Sequence, residues 1–313
     1  MSDEFSTKTI IAYTNILIDI QSFYYFMPIY DVGIECKNTR KKRMKDLYHI
    51  DDKVEELPDG SIICLKWNNN NRGLVLKTAS VVRNNFEQKK KRDKYFLNSV
   101  TTNLFFKQEK NGKTVDKLVN IKITKTGKFQ ITGCKNDDLA IKSIYFLYKT
   151  MLDVKKWTGK DLFQLGESVH GYNTGGKCSI ILQTVMKNRN VNIGFPINRE
   201  KLDTLINRYY TDYLSIFDGT TSGAGVNIKI PIKEHDEEDL YLSILNEEGE
   251  VSRRVMAKEE LPNMVIKLKD GYHTFLCFKS GSCIHSGRGK CMIETFEKFL
   301  EILRDHKEEL EDK

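Results

Sequence analysis

Two stretches of the chain share a pattern: residues 125–133 read KTGKFQITG, and residues 279–287 read KSGSCIHSG. Each begins with a lysine, a hydroxyl residue and a glycine, and each ends with a hydroxyl residue and a second glycine. The first glycine suits a tight hairpin turn, because such turns require a positive φ. Self-similarity of this kind indicates an internal repeat, which constrains the fold more than any other feature of the sequence.

The neighbours of the two stretches also correspond. LVNIKIT at 118–124 and HTFLCF at 273–278 precede them and predict strands. Apolar residues at helical spacing follow them, starting at Ala140 in the first half and at Met292 in the second. Asp137 and Asp138 fall in the first turn of the earlier helix, where acidic groups suit the helix dipole. Each half is therefore predicted to end in a hairpin followed by a helix.

Each half is also predicted to begin with a strand followed by a helix. The first half begins with the segment 9–20. The second half begins with the segment 179–197, and a helix follows from about 198 to 214. Further strands are predicted at 61–67, 73–77, 100–106, 226–230, 240–245 and 264–268, and WNNNNRG at 67–73 predicts a turn. The sequence thus predicts a first repeat with basic insertions over 1–156, a linker over 157–178, and a second repeat with an insertion and a C-terminal helix over 179–313.

Composition narrows the functional classes. Hydrophobic residues make up 40% of the 313 residues, enough for a real core, and the net charge is +7. Basic runs at 37–45 and 89–94 indicate either phosphate contacts or solvated loops. Seven cysteines without a C-x-x-C pair indicate reduced thiols in an intracellular protein and disfavour a zinc site. With no apolar run of 18 residues, no membrane helix and no membrane partner are expected.

The hairpins resemble those of TATA-box-binding proteins, whose hairpin reads roughly F-x-S-G-K-x-x-x-T-G-A-K. The matching residues are Gly127, Lys128, Thr132 and Gly133 in the first half, and Phe278, Ser280, Gly281, Ser286 and Gly287 in the second. FPI at 195–197 resembles the start of that family's second repeat. The segments 57–77, 94–101, 120–135 and 225–231 resemble most the TATA-binding-protein-like proteins of giant cytoplasmic DNA viruses. The resemblance implies an α+β fold, a two-repeat saddle in which a curved antiparallel sheet carries four long helices on its convex face.

Alternation separates the two faces of this sheet. The residues predicted on the helix side are Ile121, Ile123, Phe129 and Ile131 in the first half and Phe275, Cys277, Cys283 and His285 in the second. The family implies that the opposite face binds the minor groove and inserts phenylalanine side chains, called wedges here, between base steps. The TATA-binding protein is itself the standard example of this kind of minor-groove binding. Phe278 would be such a wedge, unless the insertion at 234–261 buries it. Thr124, at the corresponding place, cannot wedge. The family also implies a wedge on the preceding strand, for which Phe105 or Phe106 is the candidate in the first half.

The family also implies an asparagine on the opening strand of each repeat, where direct register instead places Thr9 and Met186. Asn188 and Asn190 share the face of Met186 and could serve in its place. The predicted DNA-binding residues are Thr9, Ile11, Lys122, Thr124, Gln130, Thr132, Met186, Asn188, Asn190, Leu276, Phe278, Ile284 and Ser286 on the sheet, with Lys125, Lys128, Lys135, Lys279 and Arg288 at its edges.

The implied function is transcription initiation: the protein would bind double-stranded promoter DNA and recruit a transcription factor IIB-like protein and a viral RNA polymerase. It would work in the viral factory of the host cytoplasm, in the virion or in the host nucleus. A second interpretation is a protein-interaction scaffold that has given up specific DNA binding. An enzyme is disfavoured, because the sequence shows no paired-carboxylate motif, metal-ligand spacing, glycine-rich phosphate loop or nucleophile signature. No catalytic residue, metal or cofactor is therefore expected.

Overall fold

One large antiparallel sheet organises the chain in the computed structural model. The structure describes residues 5–30, 57–68, 70–73, 98–110, 112–166, 168–169, 172–220, 223–232, 239–246, 251–256 and 271–312. The basic runs at 37–45 and 89–94, the predicted strand at 264–268 and most of the one at 73–77 lie outside these residues. Within the described part of the chain, no helix is long and apolar enough to cross a membrane.

The strands, in chain order, are β1 (Thr7–Thr14), β2 (Ile16–Ile18), β3 (Ser61–Trp67), β4 (Asn70–Gly73), β5 (Ser99–Lys110), β6 (Lys113–Thr124), β7 (Lys128–Cys134), β8 (Phe163–Leu165), β9 (Ser168–Val169), β10 (Tyr172–Asn173), β11 (Cys178–Asn192), β12 (Leu214–Ile216), β13 (Val226–Pro231), β14 (Tyr241–Leu245), β15 (Val251–Val255), β16 (Tyr272–Cys277) and β17 (Ser282–Gly287). The helices are α1 (Ile20–Phe26), α2 (Asp137–Thr158), α3 (Arg199–Tyr209), α4 (Met292–Asp305) and α5 (Lys307–Leu310).

The order of the strands is the same on both sides of the sheet's centre. The sheet runs β12-β13-β16-β17-β11-β1-β7-β6-β5-β3-β4, and every pairing is antiparallel. β1 and β11, the opening strands of the two halves, pair with each other at the centre. Outward from each lie the two strands of its hairpin and then the earlier strands. β14 adds to β11 beyond the end of β17, and β15 pairs with β14.

Matching backbone hydrogen bonds tie each opening segment to its hairpin. In the first half, Thr14 N–H donates to Gly127 O at 2.9 Å and Ile18 N–H donates to Lys125 O at 3.0 Å. In the second half, Ile193 N–H donates to Gly281 O at 2.8 Å and Ile197 N–H donates to Lys279 O at 2.9 Å.

The two hairpin glycines have φ angles of 76° and 78°. A Cβ on Gly127 would lie 2.6 Å from Ile16 O, and a Cβ on Gly281 would lie 2.2 Å from Phe195 O. Both positions therefore require glycine for the same two reasons.

The helices cover one face of the sheet, and the hydrophobic core lies between the helices and the sheet. α2 has Asn136 as its N-cap and Asp137 and Asp138 in its first turn, as predicted, and it ends at Gly159 in the left-handed conformation. One hydrophobic cluster packs α1 and α2 on the first-half strands, and another packs α3 and α4 on the second-half strands. The predicted helix-side residues are confirmed: Ile121, Ile123, Phe129, Ile131, Phe275, Cys277, Cys283 and His285 are all buried.

Several predicted boundaries were wrong. The helix expected to reach 214 ends at Tyr209, because Leu214–Ile216 pairs with β13 as a strand. WNNNNRG is a turn only around Asn68, whose φ is 45°, and Asn70–Gly73 returns as a strand paired with β3. The expected four long helices also do not hold for the described residues, since α1 has seven residues. Strand β8, which pairs with β2, lies within the predicted linker, whose bounds of 157–178 stay a prediction.

Candidate nucleic-acid interface

The face of the sheet opposite the helices, called here the open face, can be traced residue by residue from the strand registers, because directly paired residues point to the same side. Five rows cross it. They are Lys128-Tyr13-Ile181-Leu242-Arg254, Lys66-Thr101-Lys122-Gln130-Ile11-Gln183, Cys64-Asn103-Asn120-Thr132-Thr9-Met186, Thr7-Asn188-Ser286-Thr274-Lys229-Leu214, and Asn190-Ile284-Leu276-Asn227-Ile216. The first row contains the central pairs nearest the hairpin β14–β15.

The five traced rows carry charge of one sign. They contain the cations Lys66, Lys122, Lys128, Lys229 and Arg254, and no carboxylate occurs in these rows of described residues. Beyond the rows, Glu109 and Asp116 lie on the same side by alternation, at the far end of β5 and β6, where Asp116 is the strand partner of Lys107. Asp137 and Asp138 face the helix side, in the first turn of α2, where they pair with Lys8 and Arg253. A surface of this kind attracts a polyanion rather than a cation.

The second half of the open face carries an apolar group beside the polar row of Ser286, Thr274 and Lys229. Leu276, Phe278 and Ile284 are partly exposed, so the predicted burial of Phe278 does not hold. Leu214 and Ile216 on the edge strand β12 are 45% and 49% exposed. Exposed apolar patches on a sheet mark interaction sites.

The first half of the open face is polar at the corresponding places. Lys122 and Gln130 stand where the second half has Leu276 and Ile284, and Thr124 stands where it has Phe278. The Thr124 hydroxyl donates to Lys128 O at 3.0 Å and accepts from Lys128 N–H at 3.2 Å, so it closes its own hairpin. Threonine at this position therefore has a local structural role and offers no wedge.

Most of the predicted sheet residues reach the open face. Gln130, Met186 and Asn190 are exposed, and the following are partly exposed: Thr9, Lys122, Thr124, Thr132, Asn188, Leu276, Phe278, Ile284 and Ser286. Asn188 Nδ2 donates to the Thr7 hydroxyl at 3.1 Å, and its Oδ1 is a buried acceptor without a partner among the described residues. Asn188 and Asn190 do share the face of Met186, as predicted.

Ile11 is a correction to the predicted set. It points to the open face, but only 6% of it is exposed, because it lies in a hydrophobic cluster with Tyr13, Ile181, Leu242 and others. The cluster consists of Ile11, Tyr13, Ile181, Leu240, Leu242 and Met256, with Val185 and Ile244 packed against it. The second-half insertion thus covers the middle of the open face. We therefore leave Ile11 out of the interface.

Phe105 and Phe106 are a second correction, since both are fully buried and neither can serve as a first-half wedge. Phe106 belongs to the helix-side core, whereas Phe105 packs on the open side with Ile63 and Leu118. A register shift between Ile62 and Cys64 brings Ile63 to that side.

The predicted edge cations differ in their surroundings. Lys125 and Lys279 are exposed in the two hairpin turns, while Lys128, Lys135 and Arg288 are partly exposed. Lys279 forms an ion pair with Asp312 at 2.7 Å. The Lys128 ammonium lies 5.6 Å from the centre of the Tyr13 ring, which holds it on the open face. Sequence reasoning missed Lys66, Lys229 and Arg254, which only the strand registers reveal.

On the helix side, the second half has a buried histidine pair. His285 Nε2 lies 3.3 Å from His273 Nδ1, and the His285 ring stacks on Phe275 with 4.1 Å between ring centres. Burial, with the charges of His273 and Arg189 as smaller causes, lowers the pKa of His285 from 6.5 to about 3. The ring is therefore neutral at physiological pH and serves packing rather than acid–base chemistry.

The described residues contain no group of three or more His, Cys, Asp or Glu side chains that could hold a metal ion. In structure, the chain is similar to the TBP of Methanococcus jannaschii, with a TM-score of 0.41 and 9% sequence identity over 96% of this chain and 98% of that one. No protein-family model and no curated protein sequence matches the chain.

Proposed function

We propose that this protein is a two-repeat saddle of the TATA-binding type that binds duplex DNA across its open face, in the minor groove. The observation that carries the proposal is the make-up of that face. It combines cations with no carboxylate in its traced rows, and it offers the apolar group Leu276, Phe278 and Ile284 for insertion between base steps. Matching strand orders and hairpin ties support the two-repeat part of the proposal.

Binding would be uneven along the saddle. The second half would insert Phe278 and distort the duplex, while the first half would grip through Lys122, Lys128 and Gln130. Asn188, close to the central β1–β11 pairing, would meet base acceptors in the minor groove, where A·T pairs show only acceptors. No catalytic step and no cofactor is part of the proposal.

The family resemblance supplies the wider role in the proposal. The bound protein would recruit a transcription factor IIB-like protein and an RNA polymerase to a promoter. The resemblance to viral proteins implies that the polymerase is viral and that the complex forms in the viral factory of the host cytoplasm. These partners are tested by complex formation on a promoter duplex, after the DNA contact itself has been established.

The DNA contact is tested by fluorescence anisotropy of the full chain with duplexes of varied sequence, at salt concentrations from 50 to 200 mM. Affinity falls as salt rises, so the slope of log affinity against log salt is negative. Neutralising one phosphate contact should reduce the magnitude of this slope by about 0.9. We expect this loss for Lys122→Gln on the open face. The matched control, Lys298→Gln, removes an exposed cation on the far side of the molecule, where Lys298 pairs with Glu294 at 2.6 Å, and it should leave the slope unchanged.

Absence of duplex binding at the lowest salt, or equal slope changes for the two variants, would contradict the proposal. Competition by a small minor-groove ligand such as netropsin separates minor-groove from major-groove contact.

A scaffold function is the second candidate, and a specific feature favours it. Among the described strands, β12 is the last at its edge of the sheet, and it presents Leu214 and Ile216 where another strand could extend the sheet. On this alternative, the chain binds no duplex, yet retains a direct contact with the transcription factor IIB-like protein, and Ile216→Asp abolishes that contact.

A further inference from the structure

Among the described residues, the hairpin β14–β15 has no counterpart in the first half, and it is held firmly against the centre of the sheet. β14 pairs with β11 from Cys178 to Ile181. Leu245 belongs to the first-half core, and Arg253 of β15 forms a 2.6 Å ion pair with Asp138 of α2. The hairpin therefore bridges the two halves rather than extending freely from the second.

The two faces of this hairpin have different roles. Val251 and Leu245 pair with each other and pack on the first-half core, which places Val251 and Arg253 on the helix side. Leu242 pairs with Arg254 and lies in the open-face cluster with Tyr13 and Ile181, which places Arg254 on the open face. Arg253 and Arg254 are neighbours on one strand, but they point to opposite sides of the sheet.

Arg254 ends a row that has a cation at each end. The row runs Lys128-Tyr13-Ile181-Leu242-Arg254, and four strand spacings separate its ends, about 19 Å. Its middle cannot enter a groove, because Tyr13 is 1% exposed and Ile181 is fully buried. Contact with a duplex at this row must therefore be made by its two charged ends, and the partners of such ends on DNA are phosphates.

We propose that the hairpin β14–β15 is an additional DNA-contacting element that places Arg254 on the phosphate backbone, opposite Lys128. This inference rests on the proposed DNA-binding function and adds to it a contact that the two repeats alone would lack. The hairpin replaces groove contact over the centre of the saddle with a two-sided backbone contact. It also extends the footprint on the side of β11 where β17 has already ended.

The test compares Arg254→Gln with Arg253→Gln in the full chain, again by anisotropy with duplex DNA from 50 to 200 mM salt. We expect Arg254→Gln to lower the salt slope by about 0.9 and Arg253→Gln to leave it at the wild-type value. Arg254→Lys keeps the charge and should keep the wild-type slope. Melting temperatures recorded for all three variants show that each one is folded under the conditions of the titration.

The outcomes separate this inference from the function on which it rests. If wild-type protein binds and Lys122→Gln lowers the slope, but Arg254→Gln does not, the hairpin contact is overturned and DNA binding stands. A slope lost equally in Arg254→Lys and Arg254→Gln overturns the phosphate assignment, because the charge is still present in the first. If wild-type protein binds no duplex, both the function and the hairpin contact are overturned.

Discussion

Phe278 and Thr124 occupy corresponding positions just ahead of the two hairpin turns, and they predict an asymmetric distortion of DNA. A wedge must replace the stacking that it breaks, at a cost of a few kcal/mol for each step, and threonine has too little apolar surface for that. We expect Phe278→Ala to weaken binding by about tenfold and to reduce bending sharply, while Thr124→Ala changes bending little. Resonance energy transfer across an end-labelled duplex measures the bend. Equal losses of bending in the two variants would count against the asymmetry.

His285 predicts a specific pH dependence of stability. Its pKa of about 3 in the folded protein lies below its unfolded value of 6.5, so the unfolded chain binds more protons between these values. The contribution of His285 to the free energy of unfolding is therefore fully present above pH 6.5. It is lost as the pH falls toward 3, by about 1.4 kcal/mol for each pH unit.

The variant His285→Phe keeps the aromatic stack and removes the titration. Urea unfolding at pH 7.5 and 5.0 should show a smaller loss of stability in this variant than in the wild type. An identical loss in the two proteins would show that His285 does not titrate in this range on unfolding.

At the scale of single elements, the tie between hairpin and opening strand predicts which glycines tolerate a side chain. Gly127 and Gly159 have similar φ angles, 76° and 68°, but a Cβ meets Thr14 O and Ile16 O at 2.6 Å at the first and no atom within 4 Å at the second. Alanine at Gly159 should cost about 1–2 kcal/mol from the left-handed backbone alone. Alanine at Gly127 should cost clearly more, because backbone atoms must also move.

Denaturant midpoints of the two variants give this comparison directly, and Gly281→Ala should behave as Gly127→Ala does. Similar midpoints for Gly127→Ala and Gly159→Ala would show that the close approach is relieved at little cost.

Elements defined by local pattern could be predicted from the sequence, and elements defined by distant pairing could not. The hairpins, α2 and α4 follow from glycine placement and apolar spacing within a few residues, and so do the two faces of β6, β7, β16 and β17. Alternation also indicated a strand at 240–245, but it does not say which strand is its neighbour. The pairing of β14 with β11, and with it the burial of Ile11, depends on contacts far apart in sequence. The burial of Phe105 depends on the register shift between Ile62 and Cys64, which no residue in this segment predicts.

The whole molecule should unfold as one unit. Cys178 and Ile180 belong to the opening strand of the second half, yet they lie in the first-half core, and β1 pairs with β11 along its length. Loss of either half would leave these apolar side chains exposed. Ile180→Ala should therefore destabilise the entire chain, by about 2–5 kcal/mol, without producing a separate transition. Calorimetry checks this, and two resolved transitions in the wild type or in the variant would contradict it.

The position of β1 has a consequence for the synthesis of the chain. β1 leaves the ribosome long before both of its neighbours; the hydrogen bond from Thr14 to Gly127 spans 113 residues. At about 5–20 residues per second, β1 waits between about 6 and 23 seconds before its first partner strand exists. During that time Ile10, Ile11, Ala12 and Tyr13, all buried in the finished protein, have no sheet to join. A nascent chain that exposes such a strand before its partners exist is a natural client for chaperones that act at the ribosomal exit.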